Sequence, residues 1–129
     1  MIGEKLARKL KPGDMIALSG NLGSGKTTFT KGVGKGLGVK DPKRINSPTF
    51  VLIKEYDGKI PLYHLDLYRL DNLREIENLA IEEYIYGRGV TVIEWAEKIK
   101  SILPKKHVLV KFKVKGENKR EVVIEDLRD

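Results

Sequence analysis

Eight consecutive residues, Gly20-Asn21-Leu22-Gly23-Ser24-Gly25-Lys26-Thr27, have the residue types and spacing of a phosphate-binding loop. Glycines at the two fixed places let backbone N–H groups turn inward around an anion. A helix opening at Lys26 would add the positive end of its dipole to the same point. In a loop of this kind the lysine reaches the β- and γ-phosphates of a nucleotide, and the following hydroxyl ligates Mg²⁺. The chemistry implied is the binding of ATP with Mg²⁺ and transfer of its terminal phosphoryl group, with Asn21, Leu22, Gly23, Ser24, Gly25, Lys26 and Thr27 as candidate nucleotide contacts. Lys26 has a charge role in this reading and no core role.

Magnesium in such a site also needs carboxylates, carried to the loop by strand ends. Glu94 directly follows the apolar run Val90-Thr91-Val92-Ile93, and Asp66 ends the strand-like Leu62 to Leu65. Either carboxylate, taken alone, reads better as a cap of the following helix or turn. Beside a phosphate loop, Thr27, Asp66 and Glu94 form the candidate metal set.

The elements that must position these groups follow from hydrophobic period and turn residues. Gly3 to Leu10 reads as a short amphipathic helix stopped by Pro12-Gly13. Met15 to Ser19 is a short apolar run that suits a strand buried on both faces, and it leads straight into the glycine loop. A helix is expected from Lys26 to about Leu37 with Gly38 at its end. Gly32, Gly34 and Gly36 lie inside it at about 1 kcal/mol each relative to alanine, so close packing of a glycine face against the sheet is expected.

Two strands, Thr49 to Tyr56 and Leu62 to Asp66, flank Asp57-Gly58, a hairpin turn pair. A helix from Asn72 to about Tyr86, a strand at Val90 to Ile93 and a helix from Ala96 to Leu103 follow. The chain closes on a hairpin of Val108 to Val114 with Glu121 to Ile124, where Lys111, Lys113 and Lys115 fall on one face as solvated or edge-protecting charge. The expected fold is α/β, a three-layer P-loop NTPase-like arrangement around a mixed central sheet, with residues 1–129 forming a single domain.

A length of 129 residues is ample for one core. The chain has no cysteine, which excludes disulfides, thiolate metal sites and cysteine nucleophiles. It shows neither the apolar stretch of a signal peptide nor that of a membrane span, so a cytoplasmic protein without membrane contact is expected. The formal net charge of +7 suits a polyanionic or acidic partner and suits ordinary solubility equally.

Four blocks then carry a resemblance: Gly20 to Phe29, Ser47-Pro48-Thr49-Phe50, Tyr63-His64-Leu65-Asp66-Leu67-Tyr68-Arg69 and Ile93-Glu94-Trp95, with Glu82-Glu83-Tyr84 between the last two. In this order they resemble the TsaE (YjeE) family of bacterial ATPases required for threonylcarbamoyladenosine synthesis on tRNA. The resemblance implies that Lys26, Thr27 and Thr28 contact phosphate and magnesium. It also implies that Thr49 lies on a switch-like loop near the metal or γ-phosphate, and that at least one of Asp66 and Glu94 holds Mg²⁺. The implied catalytic group is Lys26, Glu94, Asp66 and Thr49, with Trp95 an aromatic beside the site.

The implied activity is ATP hydrolysis, slow in isolation, by an accessory protein acting with the TsaB and TsaD proteins, with tRNA reached through that complex. Ala80 departs from the family, which commonly has glycine there. His64, alone between apolar residues, reads as a structural hydrogen-bonding group. The segment Asp41 to Thr49, with Lys43 and Arg44, is expected to order at the nucleotide or at a partner.

Two rival readings share the loop. A small-molecule or nucleoside kinase would add an arginine-rich lid, for which Arg69, Arg74 and Arg88 form no obvious cluster. A GTPase would need Asn-Lys-x-Asp, and Asn118-Lys119-Arg120-Glu121 misses its last place in an expected hairpin turn.

Overall fold

The structure is a computed structural model, and it describes residues 2–20, 25–46, 53–68, 70, 74, 81–99, 103–117 and 119–128. Within them, helix α1 (Ile2–Ala7), strand β1 (Met15–Ser19), α2 (Lys26–Gly36), β2 (Ile53–Tyr56), β3 (Leu62–Asp66), α3 (Ile81–Ile85), β4 (Val90–Glu94), β5 (Val108–Val114) and β6 (Arg120–Asp126) follow in order. The strands form one six-stranded sheet in the order β2-β3-β4-β1-β5-β6. The four inner strands run parallel, while β2 and β6 pair antiparallel at the two edges. The expected mixed sheet is therefore present, and the helices cover both of its faces.

Side-chain alternation along the strands sorts the core into two clusters. Ile16, Leu18, Leu62, Val90, Val92, Val108 and Val110 meet α1 and α2 on one face. Met15, Ala17, Leu65 and Ile93 meet α3 and the 3₁₀ turn Ala96–Ile99 on the other. β1 and β4 are buried along almost their whole length, which is why both read as unbroken apolar runs.

Most expected elements stand, with shifted ends. α1 stops at Ala7 because Lys9 N–H and Leu10 N–H turn back to the carbonyls of Leu6 and Ala7, closing a tight turn ahead of Pro12. α2 ends as expected, with Val39 N–H on Gly34 O and Gly38 N–H on Lys35 O. The Asp57-Gly58 hairpin is antiparallel as expected, with Tyr56 opposite Leu62. Of its first strand, Thr49 to Leu52 lie outside the described residues.

Most of the expected helix from Asn72, including Ala80, also lies outside the described residues, and its last turn is α3. After β4 the chain forms a 3₁₀ turn in place of the start of a helix, since Trp95 enters it with a left-handed φ of 62° and Lys98 N–H bonds Trp95 O. β5 is an inner strand, so Lys111 and Lys113 form a solvated face and guard no edge, and Lys115 lies past the strand. The segment after Asp41 is tied down by Ile45, fully buried against Gly34 of α2.

The glycines of α2 have a different partner from the one the sequence suggests. A Cβ at Gly36 would sit 2.6 Å from Ala7 Cβ and 2.8 Å from Glu4 O, and one at Gly32 would sit 3.2 Å from Glu4 N. Two of the three glycines thus seat α1 on α2, and only Gly34 faces toward the sheet, against Ile45 and Leu62. Alanine at Gly36 gains roughly 1 kcal/mol of helix propensity. Against that it overpacks a backbone contact that cannot rotate away, at a cost of about 1–3 kcal/mol. Gly36→Ala is therefore expected to lower the urea midpoint, and a raised midpoint would mean that α1 is held in some other way.

Candidate functional site at the strand ends

The parallel strands β1, β3 and β4 all point their C-terminal ends the same way, where β1 passes to Gly20 and α2 begins at Lys26. Gly25 caps α2 at φ 103°, a conformation in which a side chain is strained, and this explains the second fixed glycine of the motif. Asp66 and Glu94 are register partners on neighbouring strands, and Leu18 of β1 pairs with Glu94. Two carboxylates distant in sequence thus meet on the α2 face, beside the end of the glycine loop.

Lys26 lies at the centre of this group, only 6 % exposed. Its Nζ donates to Gly20 O at 2.7 Å, lies 3.6 Å from Glu94 Oε1 and stands 5.4 Å from the centre of the Trp95 ring. This corrects the expectation that the lysine has no place in the interior. The other Glu94 oxygen, Oε2, is 2.6 Å from Nε2 of fully buried His64.

Nδ1 of His64 is buried with no hydrogen-bond partner among the described residues. A proton on Nε2, donated to Glu94, leaves Nδ1 as an acceptor and avoids burying an unpaired N–H donor. His64 is thus the structural hydrogen-bonding group expected, and the group it holds is Glu94. Asp66 Oδ1 accepts from Tyr68 N–H at 2.9 Å, which turns the chain as it leaves β3.

Trp95 rests on both sides of the choice between core and site. It packs on the α3-side cluster, while its ring faces Lys26 and lies 5.0 Å from that of Tyr68. Its left-handed backbone costs roughly 1–3 kcal/mol, and the geometry so held brings indole and ammonium together. Thr27, half-buried, and Thr28, exposed, occupy the first turn of α2. Asn21, Leu22, Gly23, Ser24 and Thr49 lie outside the described residues.

Among the described residues no group of three or more His, Asp or Glu has metal-ligand spacing. One or two carboxylates with a threonine hydroxyl are the donor set that suits Mg²⁺, a hard cation that keeps waters and takes phosphate oxygens as its remaining ligands.

A feature that sequence reasoning missed adjoins the loop. A cleft of about 440 Å³ is lined by Ile2, Gly25, Thr28, Phe112, Arg120 and Val122. Its walls come from α1, α2, β5 and β6, and Phe29 meets Phe112 edge to face at its base. No local pattern could have revealed it, because its residues are gathered from both ends of the chain only by folding.

Fold and site together define the class: a three-layer α/β protein of the P-loop NTPase-like type, its glycine-loop lysine set against a strand-end carboxylate. The family model described as threonylcarbamoyl adenosine biosynthesis protein TsaE matches residues 1–122. The chain is 47% identical over 122 residues to the tRNA threonylcarbamoyladenosine biosynthesis protein TsaE of Bacillus subtilis (strain 168), covering 94% of this chain and 75% of the relative. It is 40% identical over 122 residues to the protein of the same name from Treponema pallidum (strain Nichols), covering 95% of this chain and 89% of the relative.

Among solved structures, a crystal structure of YdiB from B. subtilis matches with a TM-score of 0.77 at 39% identity, over 98% of this chain and 76% of that one. The chain belongs to the TsaE family. It is a tRNA threonylcarbamoyladenosine biosynthesis protein by that membership.

Proposed function

We propose that the protein binds and hydrolyses ATP with Mg²⁺ at the strand-end site, as an accessory to the TsaB and TsaD proteins in threonylcarbamoyladenosine modification of tRNA in the cytoplasm. The observation that carries the reading is the contact of Lys26, at the start of α2, with Glu94, whose register partner is Asp66. Among the described residues no helix is long and apolar enough to cross a membrane. Family membership favours the accessory ATPase over the kinase. In the GTPase reading, Asn118 lies outside the described residues and Arg120 begins β6.

In this mechanism Lys26 would exchange Gly20 O and Glu94 for phosphate oxygens, and a loop of the Gly20 to Thr27 pattern would offer backbone N–H groups to the phosphates. Thr28 lies on the path toward the cleft between Ile2, Phe112 and Val122, whose apolar walls suit a nucleobase. Thr27, Asp66 and Glu94 would hold Mg²⁺, which when bound offsets charge on the phosphate oxygens. Glu94, whose Oε2 lies 2.6 Å from His64 Nε2, would hold the metal or its water, and the family resemblance assigns Thr49 the approach to the γ-phosphate.

The test is ATP titration and turnover against magnesium. Asp66→Asn and Glu94→Gln are each expected to move the magnesium midpoint upward by about 10- to 100-fold, because a neutral amide is a poorer ligand for a hard cation. Both variants keeping the wild-type midpoint and turnover would make these carboxylates structural caps. Recovery of TsaB and TsaD from lysate by the tagged protein, with and without ATP, tests the partners.

A further inference from the structure

The N-terminal ends of the parallel strands carry a second cleft. It has a volume of about 660 Å³ and is lined by Lys9, Lys11, Lys105, Lys106, Arg128 and Asp14, with Tyr86 at its rim. Lys11 and Asp14 precede β1, Tyr86 precedes β4, Lys105 and Lys106 precede β5, and Arg128 follows antiparallel β6. All of these points fall at the starts of the parallel strands. The nucleotide site lies at their ends, roughly 17 Å away by the rise of five strand residues.

Charge in this cleft is one-sided. Five basic side chains line it against one carboxylate, and that carboxylate is engaged: Asp14 Oδ2 accepts from Arg128 Nη1 at 3.0 Å and from Lys11 N–H at 2.9 Å. Arg128 also donates to Lys9 O at 3.0 Å and to both oxygens of Asp126, holding that carboxyl down to about 2 chiefly through the side-chain hydrogen bond. The guanidinium thus fixes the floor by joining the turn after α1, the entry to β1 and the end of β6. The four lysines remain exposed, and Tyr86 is 70 % exposed beside them.

Positive side chains on a fixed floor with an unburied aromatic at the rim match the needs of a nucleic-acid strand, whose phosphates take the ammonium groups and whose bases stack on a ring. An acidic polypeptide would use the lysines and leave the exposed tyrosine without a purpose. We propose that this cleft is an RNA-binding surface, with Lys9, Lys11, Lys105 and Lys106 on phosphates and Tyr86 against a base. The choice of RNA rests on membership in a tRNA-modifying family, and the surface is separate from the nucleotide site.

The experiment is fluorescence anisotropy of a labelled tRNA transcript with the full chain at 50 and 200 mM salt. Four phosphate contacts give a logarithmic salt slope of about −3 and so a loss of roughly 60-fold between those salts. Replacing all four lysines with alanine is expected to flatten the slope to near zero. Tyr86→Ala is expected to weaken binding by about 5- to 100-fold with the slope kept, and Tyr86→Phe to restore it.

Lys111→Ala with Lys113→Ala, on the exposed face of β5, serves as the control for general charge. Loss of RNA binding equal to that of the cleft variant would overturn the proposal. So would lysine-dependent capture of polyglutamate with no RNA binding, or indifference to Tyr86. ATP titration of the same variants keeps the two sites apart, since cleft variants that bind ATP normally and fail on RNA support this site whatever the fate of the hydrolysis reading.

Discussion

Lys26→Ala is expected to lose ATP affinity by at least ~100-fold, since charge-assisted bonds to phosphate contribute about 1.5–3 kcal/mol each. It is also expected to weaken the empty protein. Lys26 and Glu94 side chains are only 6% and 5% exposed, so removing the cation leaves a buried carboxylate whose remaining side-chain partner among the described residues is His64. Breaking a buried pair from one side costs about 3–5 kcal/mol, more than removing both charges.

A second substitution separates the two effects. Lys26→Ala with Glu94→Gln should recover much of the lost stability, read from urea unfolding, and none of the lost affinity. Recovery of both together would mean that Lys26 acts only by bracing the fold. Unchanged affinity in folded Lys26→Ala would remove the phosphate-loop assignment altogether.

Turnover of ATP is expected to be slow for the protein alone and to rise by several orders of magnitude when TsaB and TsaD are added. A positive group supplied in trans contributes up to ~10³–10⁵ in rate in phosphoryl transfer on such loops. Lys43 and Arg44, the two basic residues that precede Thr49 in the Asp41 to Thr49 segment, stand on an exposed 3₁₀ turn, with Arg44 Nε 3.4 Å from Asp41 on the surface. Ile45, buried under α2, holds that turn at its place. The measurement is steady-state turnover of the chain alone, then with both proteins, then with tRNA. A fast isolated enzyme, indifferent to each addition, would return the kinase reading to first place.

How far the molecule could be read from its residues depends on how local each signal is. The apolar runs of β1 and β4, the helix start at Lys26 and the Asp57-Gly58 turn are local signals, and each appears in the fold where it was read. Asp66 and Glu94 were legible as strand ends, yet only the parallel register of β3 on β4 makes them neighbours. The glycines of α2 announced a close approach without naming its partner, because any packed surface requires the same small residue. Burial of Lys26, the cleft beside Gly25 and Phe112 and the basic cleft arise from elements that meet only after folding, and no periodicity encodes them. The chain's departure into a 3₁₀ turn after β4 rests on one backbone angle at Trp95, which helical spacing from Ala96 does not reveal.

Trp95 is the one tryptophan in the sequence, and its ring stands 5.4 Å from the ammonium group that the proposed nucleotide would draw away. Indole emission responds to the field of a nearby cation and to the water around it. The chain therefore carries its own optical reporter, with no second indole to dilute the signal. Occupancy of the phosphate loop can be followed by intrinsic fluorescence on unlabelled protein, at concentrations where calorimetry is blind, and stopped-flow mixing would time the departure of Lys26 from Glu94.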